Sequence, residues 1–225
     1  MQRDGCCALP GHGAECREGA GDGVPDGLGD VPVVEAEGRE GGGEAVLVEA
    51  AQVADGDGRD EVVYGAATID DDGTGLYSTR LCHGDALHVT EIDLSNPGVE
   101  VFMVHESESC YGDYGVEVHD GATGRILYSA NVSGDIGRGV AADVNPDHPG
   151  VEVFGSRGNT LTADRQVLPG RPGTNFAIWW DGDLLRELMS GSTIDKWDHR
   201  AGRNNRIFDA DAVFGGASNN GTKAT

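Results

Sequence analysis

The residues best suited to chemistry lie in one short stretch, from Arg80 to Asp93. It contains two imidazoles, His83 and His88, together with carboxylates that include Asp85. An acidic turn precedes the stretch and an Asn-Pro-Gly turn follows it, so strands and turns are expected on both sides. A carboxylate beside a histidine can fix which ring nitrogen carries the proton. The pattern predicts a polar site at the rim of a β-sheet, where His83 and Asp85 face a ligand or a metal.

His83 and the other candidate site residues also have a purely structural interpretation, which the sequence leaves open. His83 can serve as a rim histidine bonded to a neighbouring turn, and His88 is expected to pack or bond locally. Arg138 lies between two glycines, which suits a bidentate contact to a carboxylate but also an ordinary solvated arginine in a turn. Trp179 and Trp180 are adjacent in a predicted strand, so one should face the core while the other can stack on a sugar ring.

Composition narrows the possible partners. The 225-residue chain has 39 acidic and 16 basic residues, for a formal net charge of −23. Nucleic-acid binding is therefore not expected, because neutralising phosphates needs a positive surface. Asp-rich turns suit Ca²⁺, a hard cation that takes several oxygen ligands, although Asp and Asn also favour turns for reasons of their own. The predicted calcium ligands are Asp55, Asp57, Asp60, Asp93, Asp143 and Asn145.

A recurring acidic segment predicts the fold. Short loops rich in Asp, Asn, Pro and Gly lead into apolar strands that open on Glu61, Glu100 and Glu152, at spacings of 39 and 52 residues. Further short alternating runs lie between the copies, and 37 glycines indicate many turns. A repeat of about forty residues with roughly four short strands is typical of a β-propeller blade. We therefore predict an all-β chain, with residues 183–189 forming a hairpin strand rather than a helix.

Residues 1–52 differ from the rest of the sequence. They contain no aromatic residue and three of the five cysteines, and their glycine and acid content leaves little surface to bury. We expect this segment to be a disordered, low-complexity linker or a product of mistranslation, with the folded part at residues 53–225. It lacks the apolar core of a signal peptide, and no apolar run in the chain has membrane-spanning length. Cys82 and Cys110 are isolated, so the sequence predicts no disulfide framework.

From residue 53 onward, successive blocks resemble the rhamnogalacturonan lyases of polysaccharide lyase family 11. The resemblance covers about residues 53–225 and is carried by colinear segments rather than by composition. The segments are Asp60-Glu61-Val62-Val63-Tyr64-Gly65-Ala66, Gly75-Leu76-Tyr77-Ser78-Thr79, His83-Gly84-Asp85-Ala86, Pro97-Gly98-Val99-Glu100-Val101-Phe102, Val104-His105-Glu106, Gly137-Arg138-Gly139, residues 175–188 and residues 219–225.

The resemblance implies a fold and a reaction. The fold would be an eight-bladed β-propeller with structural Ca²⁺, of which this chain supplies about three to four blades. The reaction would be β-elimination on the rhamnogalacturonan-I backbone of pectin, by a secreted, monomeric enzyme. The implied catalytic residues are His83, Arg138 and Lys223. The implied substrate-binding residues are Asp85, His105, Asn220 and Trp179.

One expectation follows from the partial coverage. We expect the isolated chain to be inactive, because an open propeller lacks part of its cleft and leaves strand edges unpaired. The ultraviolet absorbance of the unsaturated product tests this. The alternative function is a non-catalytic, calcium-binding propeller module used in adhesion or carbohydrate binding, which acidic loop repeats alone would fit equally well.

Overall fold

Short antiparallel strands are the main regular structure in the described part of the protein. The computed structural model describes residues 46–47 and 55–215. Within them lie sixteen strands and two helices of about one turn, α1 (Glu108–Tyr111) and α2 (Ala210–Phe214). The predicted all-β class is therefore confirmed. No helix in the described part of the chain is long and apolar enough to cross a membrane.

The strands form four sheets, each of four strands that pair in chain order. Sheet I contains β1 (Val46–Leu47), β2 (Val62–Tyr64), β3 (Ala67–Ile69) and β4 (Gly75–Ser78). Sheet II contains β5 (Gly84–Thr90), β6 (Glu100–His105), β7 (Val116–Asp120) and β8 (Ile126–Ala130). Sheet III contains β9 (Gly139–Ala142), β10 (Glu152–Gly155), β11 (Thr160–Leu161) and β12 (Val167–Leu168). Sheet IV contains β13 (Phe176–Ile178), β14 (Glu187–Ser190), β15 (Thr193–Asp198) and β16 (Arg203–Asp209).

Two elements bear on the sequence-based boundaries. Strand β14 overlaps the end of the segment for which a hairpin strand was predicted, and residues 183–186 before it form a loop. Strand β1 pairs with β2 through Val46 and Val63, so pairing begins ahead of the boundary placed at residue 53. The remainder of the predicted low-complexity segment lies outside the described residues.

The hydrophobic core consists of three clusters, and each cluster joins residues of two consecutive sheets. Val63 of sheet I packs with Val101 and Met103 of sheet II. The largest cluster joins Phe102 and Val104 of sheet II to residues of sheet III, among them Val153. The third joins residues of sheets III and IV, namely Val140, Ala142, Val144, Phe154, Leu188 and Trp197. Burial of apolar side chains between neighbouring sheets thus supplies the main driving force for their stacking.

A buried glutamate anchors the loop that enters the second strand of each of sheets II, III and IV. Glu100 Oε2 accepts hydrogen bonds from the backbone N–H groups of Ile92 and Asp93, at 2.7 and 3.0 Å. Glu152 Oε2 accepts two such bonds from the preceding loop, both at 3.0 Å, and Glu187 Oε2 accepts two at 2.9 and 3.3 Å. All three glutamates are fully buried. The repeat found in the sequence is therefore a structural device, and Glu187 is a further copy of it.

The second carboxylate oxygen distinguishes the three copies. Glu100 Oε1 accepts a hydrogen bond from the Asn96 amide at 2.8 Å, and Glu187 Oε1 lies 3.0 Å from the Lys196 ammonium. Glu152 Oε1 has no hydrogen-bond partner within the described residues. Burial of this carboxylate raises the pKa of Glu152 to about 7, in spite of its two backbone hydrogen bonds.

The raised pKa of Glu152 predicts a pH-dependent stability. The folded protein binds the Glu152 proton more tightly than the unfolded chain, so this contribution is complete at acidic pH and is lost as the pH rises through 7. Glu152→Gln keeps the acceptor oxygen and removes the charge, and its stability relative to the wild type should grow by about 3 kcal/mol from pH 4 to pH 8. Urea unfolding in EDTA at a series of pH values measures this difference. The exposed Glu91→Gln is the control, and a parallel pH profile for wild type and Glu152→Gln would contradict the assignment.

A disulfide holds the start of sheet II. Cys82 and Cys110 are bonded, with Cα atoms 5.9 Å apart, so the expectation that these cysteines are isolated is wrong. They are 28 residues apart in the chain. Pairing of β5 with β6 brings Gly84 opposite His105, which places Cys82 close to helix α1. The bond therefore ties the residue before His83 to that helix.

Loss of this bond should lower stability measurably. Closing a loop of this length is expected to contribute about 3–4 kcal/mol by restricting the unfolded chain. We expect Cys82→Ser with Cys110→Ser to lower the urea midpoint of the full chain, and dithiothreitol to lower that of the wild type by a similar amount. The doubly substituted chain is its own control, because dithiothreitol should then have little further effect. Equal midpoints for wild type and variant would contradict a stabilising role.

Candidate functional site

Three polar residues occupy the same position at the start of consecutive sheets. His83 immediately precedes β5, Arg138 immediately precedes β9 and Asn175 immediately precedes β13. These are the first strands of sheets II, III and IV, and their starts are linked: the Ile136 N–H, just before β9, donates to the carbonyl of His105, which pairs with Gly84 of β5, and Arg138 bonds to Asn175. The N-terminal ends of the three first strands therefore form one rim, which we call the first-strand rim.

His83 lies in a cluster with two carboxylates on this rim. Its Nε2 is 3.3 Å from Asp85 Oδ1 and 3.6 Å from Glu106 Oε2. The His83 side chain is 54% exposed, so a ligand can reach the imidazole. One imidazole and two carboxylates within 4.8 Å of one another can orient the ring for proton transfer, and they can also hold a cation. The structure places Asp85 beside His83 and adds Glu106, which was not predicted as a site residue.

The backbone around His83 is held in place from several directions. Arg80 and Cys82 adopt left-handed conformations, with φ of +61° and +65°, which non-glycine residues rarely adopt. The disulfide at Cys82 and a 3.4 Å hydrogen bond from the Glu106 N–H to the His83 carbonyl fix the segment against sheet II. A side chain at Gly84 would place its Cβ 2.5 Å from the Val104 carbonyl oxygen, so this close approach requires glycine. His83 is thus carried on a constrained turn.

Arg138 is fixed by contacts from sheets III and IV. Its Nη1 donates a hydrogen bond to Asn175 Oδ1 at 2.7 Å, and its carbonyl accepts one from the Ser156 N–H at 2.7 Å. The Ile136 N–H, two residues earlier, donates to the carbonyl of His105, the neighbour of Glu106. A backbone path therefore links the Arg138 turn to the His83 cluster. Asn175 could not be predicted as a site residue from the sequence, because an amide contact between two sheets leaves no local pattern.

His105 lies behind the rim rather than on it. It is fully buried in β6, and its Nε2 is 3.5 Å from Glu117 Oε1. His119, also buried, has its Nδ1 3.0 Å from the same oxygen. Burial alone raises the pKa of Glu117, but hydrogen bonds with both imidazoles outweigh it and hold that pKa below its ordinary value. The expectation that His105 contacts the substrate is therefore corrected: its side chain points into the core because both faces of β6 are buried.

Trp179 and Trp180 both lie on the surface. They are 63% and 53% exposed, because β13 ends at Ile178 and the pair belongs to the following loop. The expectation that one of them faces the core is therefore wrong. The Arg186 guanidinium lies 4.7 Å from the centre of the Trp179 ring, and Trp180 contacts Phe208 with ring centres 5.4 Å apart. Trp179 thus presents one ring face to Arg186 and has a large exposed surface.

Two of the three calcium ligands predicted in sheet I, Asp55 and Asp57, lie in one cluster, and the third member of that cluster is Glu61. Ligand oxygens of Asp55, Asp57 and Glu61 lie within 4.8 Å of one another. Asp60 does not belong to this cluster, although its sequence spacing suggested that it would; the buried Glu61 takes the third position instead. An all-oxygen set of this kind is the chemistry that Ca²⁺ prefers, with backbone carbonyls and water completing its shell.

Two of the remaining predicted calcium ligands, Asp93 and Asn145, accept hydrogen bonds within their own turns. Asp93 Oδ1 accepts hydrogen bonds from both the N–H and the hydroxyl of Ser95, and Asn145 Oδ1 accepts one from the Asp147 N–H. Asp143 Oδ1 is buried without a hydrogen-bond partner in the described part of the chain, and burial raises the pKa of this carboxyl. Among the described residues, neither Asp93 nor Asp143 belongs to a group of three metal-ligating side chains. Lys223 and Asn220 lie outside the described residues.

Comparison with known proteins connects this arrangement to one family. Residues 34–225 match the model described as "Rhamnogalacturonan lyase family 11, C-terminal domain". The chain is 47% identical over 172 residues to the rhamnogalacturonan endolyase YesW of Bacillus subtilis (strain 168), covering 76% of this chain and 27% of that protein. It is 43% identical over 187 residues to the rhamnogalacturonan exolyase YesX of the same strain, covering 75% of this chain and 30% of that protein.

Solved structures agree with the sequence matches. The crystal structure of YesW matches with a TM-score of 0.69 and 46% identity, over 76% of this chain and 29% of that chain. The Bacillus licheniformis rhamnogalacturonan lyase PL11 matches with the same TM-score and 47% identity, over 76% and 29% of the two chains. The chain thus spans less than a third of the length of these relatives. It belongs to rhamnogalacturonan lyase family 11 and corresponds to part of a lyase of that family.

Proposed function

We propose that the four sheets are consecutive blades of a β-propeller and that the first-strand rim forms part of the cleft of a rhamnogalacturonan lyase. Three observations support the propeller. Each sheet is a four-stranded antiparallel meander, each core cluster joins two consecutive sheets, and the first strands β5 and β9 neighbour each other. In that architecture the first strands line the central axis, so their ends open into one shared cleft.

The proposed substrate is the rhamnogalacturonan-I backbone of pectin, cleaved by β-elimination at 4-linked galacturonate. In this reaction a base removes the proton at C5, the double bond forms between C4 and C5, and the C4–oxygen bond to the next sugar breaks. The C5 proton is only weakly acidic, so charge that develops on the adjacent carboxylate has to be neutralised. The site therefore needs one base and at least one cation.

His83 and Arg138 fit these two roles. His83 is exposed at the rim, and Asp85 and Glu106 lie close enough to orient its ring and to stabilise the imidazolium that forms on proton uptake. Arg138 is held by Asn175 through one guanidinium nitrogen, which leaves other N–H groups for a uronate carboxylate. We assign the base to His83 and the charge neutralisation to Arg138, with Lys223 as a second cation. Asn220 and Asp85 would contact sugar hydroxyls, and the exposed Trp179 would stack on a sugar ring.

A graft tests the catalytic assignment. The matching segment of the Bacillus subtilis endolyase is replaced by that of this chain, and elimination is followed through the absorbance of the unsaturated product. Loss of a general base typically costs 10²–10⁴-fold in rate, so His83→Ala in the graft should lower kcat by about that factor. Arg138→Ala should lower kcat and weaken binding of the polymer together.

His148→Ala is the matched control, because this imidazole lies in the loop after β9, at the far end of that strand from Arg138. It should leave the rate unchanged. An active His83→Ala graft would contradict the assignment of the base. Simultaneous loss of activity and of bound calcium in His83→Ala would indicate a metal-binding role for the cluster instead.

We also propose that Ca²⁺ binds the loop of Asp55, Asp57 and Glu61 and stabilises the fold. The donor set consists of oxygens only, which fits Ca²⁺. His83 is not among the ligands of this site, which lies in the loop that enters β2. Its role is to hold the loop that enters β2.

Asp57→Asn should therefore remove much of the rise in melting temperature that Ca²⁺ produces in the full chain relative to EDTA. Asp60→Asn is the control, because Asp60 is exposed and outside the cluster. Scanning calorimetry of the three proteins with and without Ca²⁺ gives the comparison. An equal calcium response in wild type and Asp57→Asn would contradict the site, and a selective loss in Asp60→Asn would favour the ligand set predicted from the sequence.

The proposed setting of the protein is extracellular and monomeric. Disulfides persist mainly in oxidising compartments, and the bond between Cys82 and Cys110 fits such a location. The alternative function, a non-catalytic calcium-binding module, would explain the acidic loops equally well but gives no reason for His83, Asp85, Glu106 and Arg138 to lie on one rim. Activity of the graft separates the two functions.

A further inference from the structure

Two loops of this protein share a sequence spacing and a backbone geometry. The loop of Asp55, Asp57 and Glu61 and the loop of Asp181, Asp183 and Glu187 both place their carboxylates at positions 1, 3 and 7. Each leads into the second strand of its sheet, β2 in sheet I and β14 in sheet IV. In both loops the three ligand-type side chains converge within 4.8 Å.

The hydrogen bonds inside the two loops also correspond. In sheet I, Asp55 Oδ1 accepts from the Asp57 N–H at 2.9 Å and Asp57 Oδ1 accepts from the Arg59 N–H at 2.8 Å. In sheet IV, Asp181 Oδ1 accepts from the Asp183 N–H at 3.2 Å and Asp183 Oδ1 accepts from the Leu185 N–H at 2.8 Å. In the sheet IV loop the Oδ2 atoms of both aspartates are directed to the centre.

The centre of the sheet IV loop already holds a positive charge. The Lys196 ammonium contacts Asp181 Oδ2, lies 2.5 Å from Asp183 Oδ2 and lies 3.0 Å from Glu187 Oε1. Glu187 is fully buried, and its other oxygen is used by the loop backbone. Burial of the ammonium acts to lower the pKa of Lys196, but its hydrogen bonds to the three carboxylates outweigh this and raise that pKa above its ordinary value.

Strand register explains why a lysine reaches this point only in sheet IV. Leu188 pairs with Asp195, so the next pair along the ladder is Glu187 with Lys196. The same extrapolation in sheet I pairs Glu61 with Asp70, because Val62 pairs with Ile69. In sheet II the partner of Glu100 is Asp120, and in sheet III extension from Val153 and Leu161 pairs Glu152 with Thr162. The four described residues opposite these glutamates are Asp70, Asp120, Thr162 and Lys196, and only Lys196 is positively charged.

We propose that Lys196 is the built-in cation of the Asp181–Glu187 loop: its ammonium takes the place of a divalent ion, and its removal opens a divalent cation site. Three carboxylates this close, one of them fully buried, need a compensating charge. A single lysine on the neighbouring strand supplies it without dependence on the metal content of the medium. The adjacent Trp179 and Trp180 are consequently positioned without metal. This inference holds whether or not the rim is catalytic.

Terbium luminescence of the full chain provides a specific test. All three tryptophans of the sequence, Trp179, Trp180 and Trp197, lie in sheet IV or its loop. A Tb³⁺ ion, which is hard and oxygen-seeking like Ca²⁺, is sensitised when indole is excited at wavelengths that tyrosine does not absorb. The wild type should give no tryptophan-sensitised emission. Lys196→Met should gain tryptophan-sensitised Tb³⁺ emission, and added Ca²⁺ should displace the Tb³⁺ and remove this emission. The Kd for Ca²⁺ should be about 10⁻⁵–10⁻³ M, in the range of moderate protein calcium sites.

Two controls and a stability measurement complete the experiment. Lys196→Arg keeps the charge and should remain without emission, and Asp183→Asn combined with Lys196→Met should lose the emission that Lys196→Met gained. In EDTA the melting temperature of Lys196→Met should be lower than that of the wild type, and Ca²⁺ should restore it. The melting temperature of Lys196→Arg should show no calcium response beyond that of the wild type. Emission from the wild type equal to that of Lys196→Met, or a Lys196→Met protein that gains no emission and no calcium response, would overturn the proposal.

Discussion

The structure depends on one recurring interaction, the acceptance of two loop N–H groups by a buried glutamate at the start of a second strand. Glu100, Glu152 and Glu187 each place one carboxylate oxygen against two backbone amides of the loop that arrives from the first strand. A buried amide without a partner is costly, and so is a buried carboxylate. Each satisfies the other, so the loop is fixed relative to the sheet. Because the first strands are fixed in this way, their opposite ends can present His83 and Arg138 on a common rim.

The second oxygen of these glutamates is where the sheets differ. An amide from Asn96 reaches it in sheet II, and an ammonium from Lys196 reaches it in sheet IV. In sheet III it has no partner in the described part of the chain, and the pKa of Glu152 rises accordingly. The same contact between a glutamate and two loop amides is therefore combined with a different surrounding of the second carboxylate oxygen in each sheet.

Local sequence patterns predicted the part of the fold that local chemistry determines. Glu61, Glu100 and Glu152 were recognisable because turn residues and a strand surround each of them, and they led to the all-β class. Glu187 escaped notice because Leu184, Leu185 and Arg186 directly precede it, whereas a glycine lies within the three residues before each of the other copies. The disulfide and the contact between Arg138 and Asn175 could not be predicted, since both join residues that only strand pairing or sheet stacking brings together. His105 was assigned to the substrate through the family resemblance, which does not show that β6 is buried on both faces.

The central claim is that the first-strand rim receives a uronate sugar between His83 and Arg138. A crystal structure of the graft carrying His83→Ala, bound to a rhamnogalacturonan-I oligosaccharide, tests it most directly. We expect a galacturonate carboxylate within hydrogen-bond distance of the Arg138 guanidinium, with the C5 proton of that sugar directed to the space that the His83 ring occupies in the wild type. An oligosaccharide bound at the opposite ends of the first strands, away from Arg138, would contradict it.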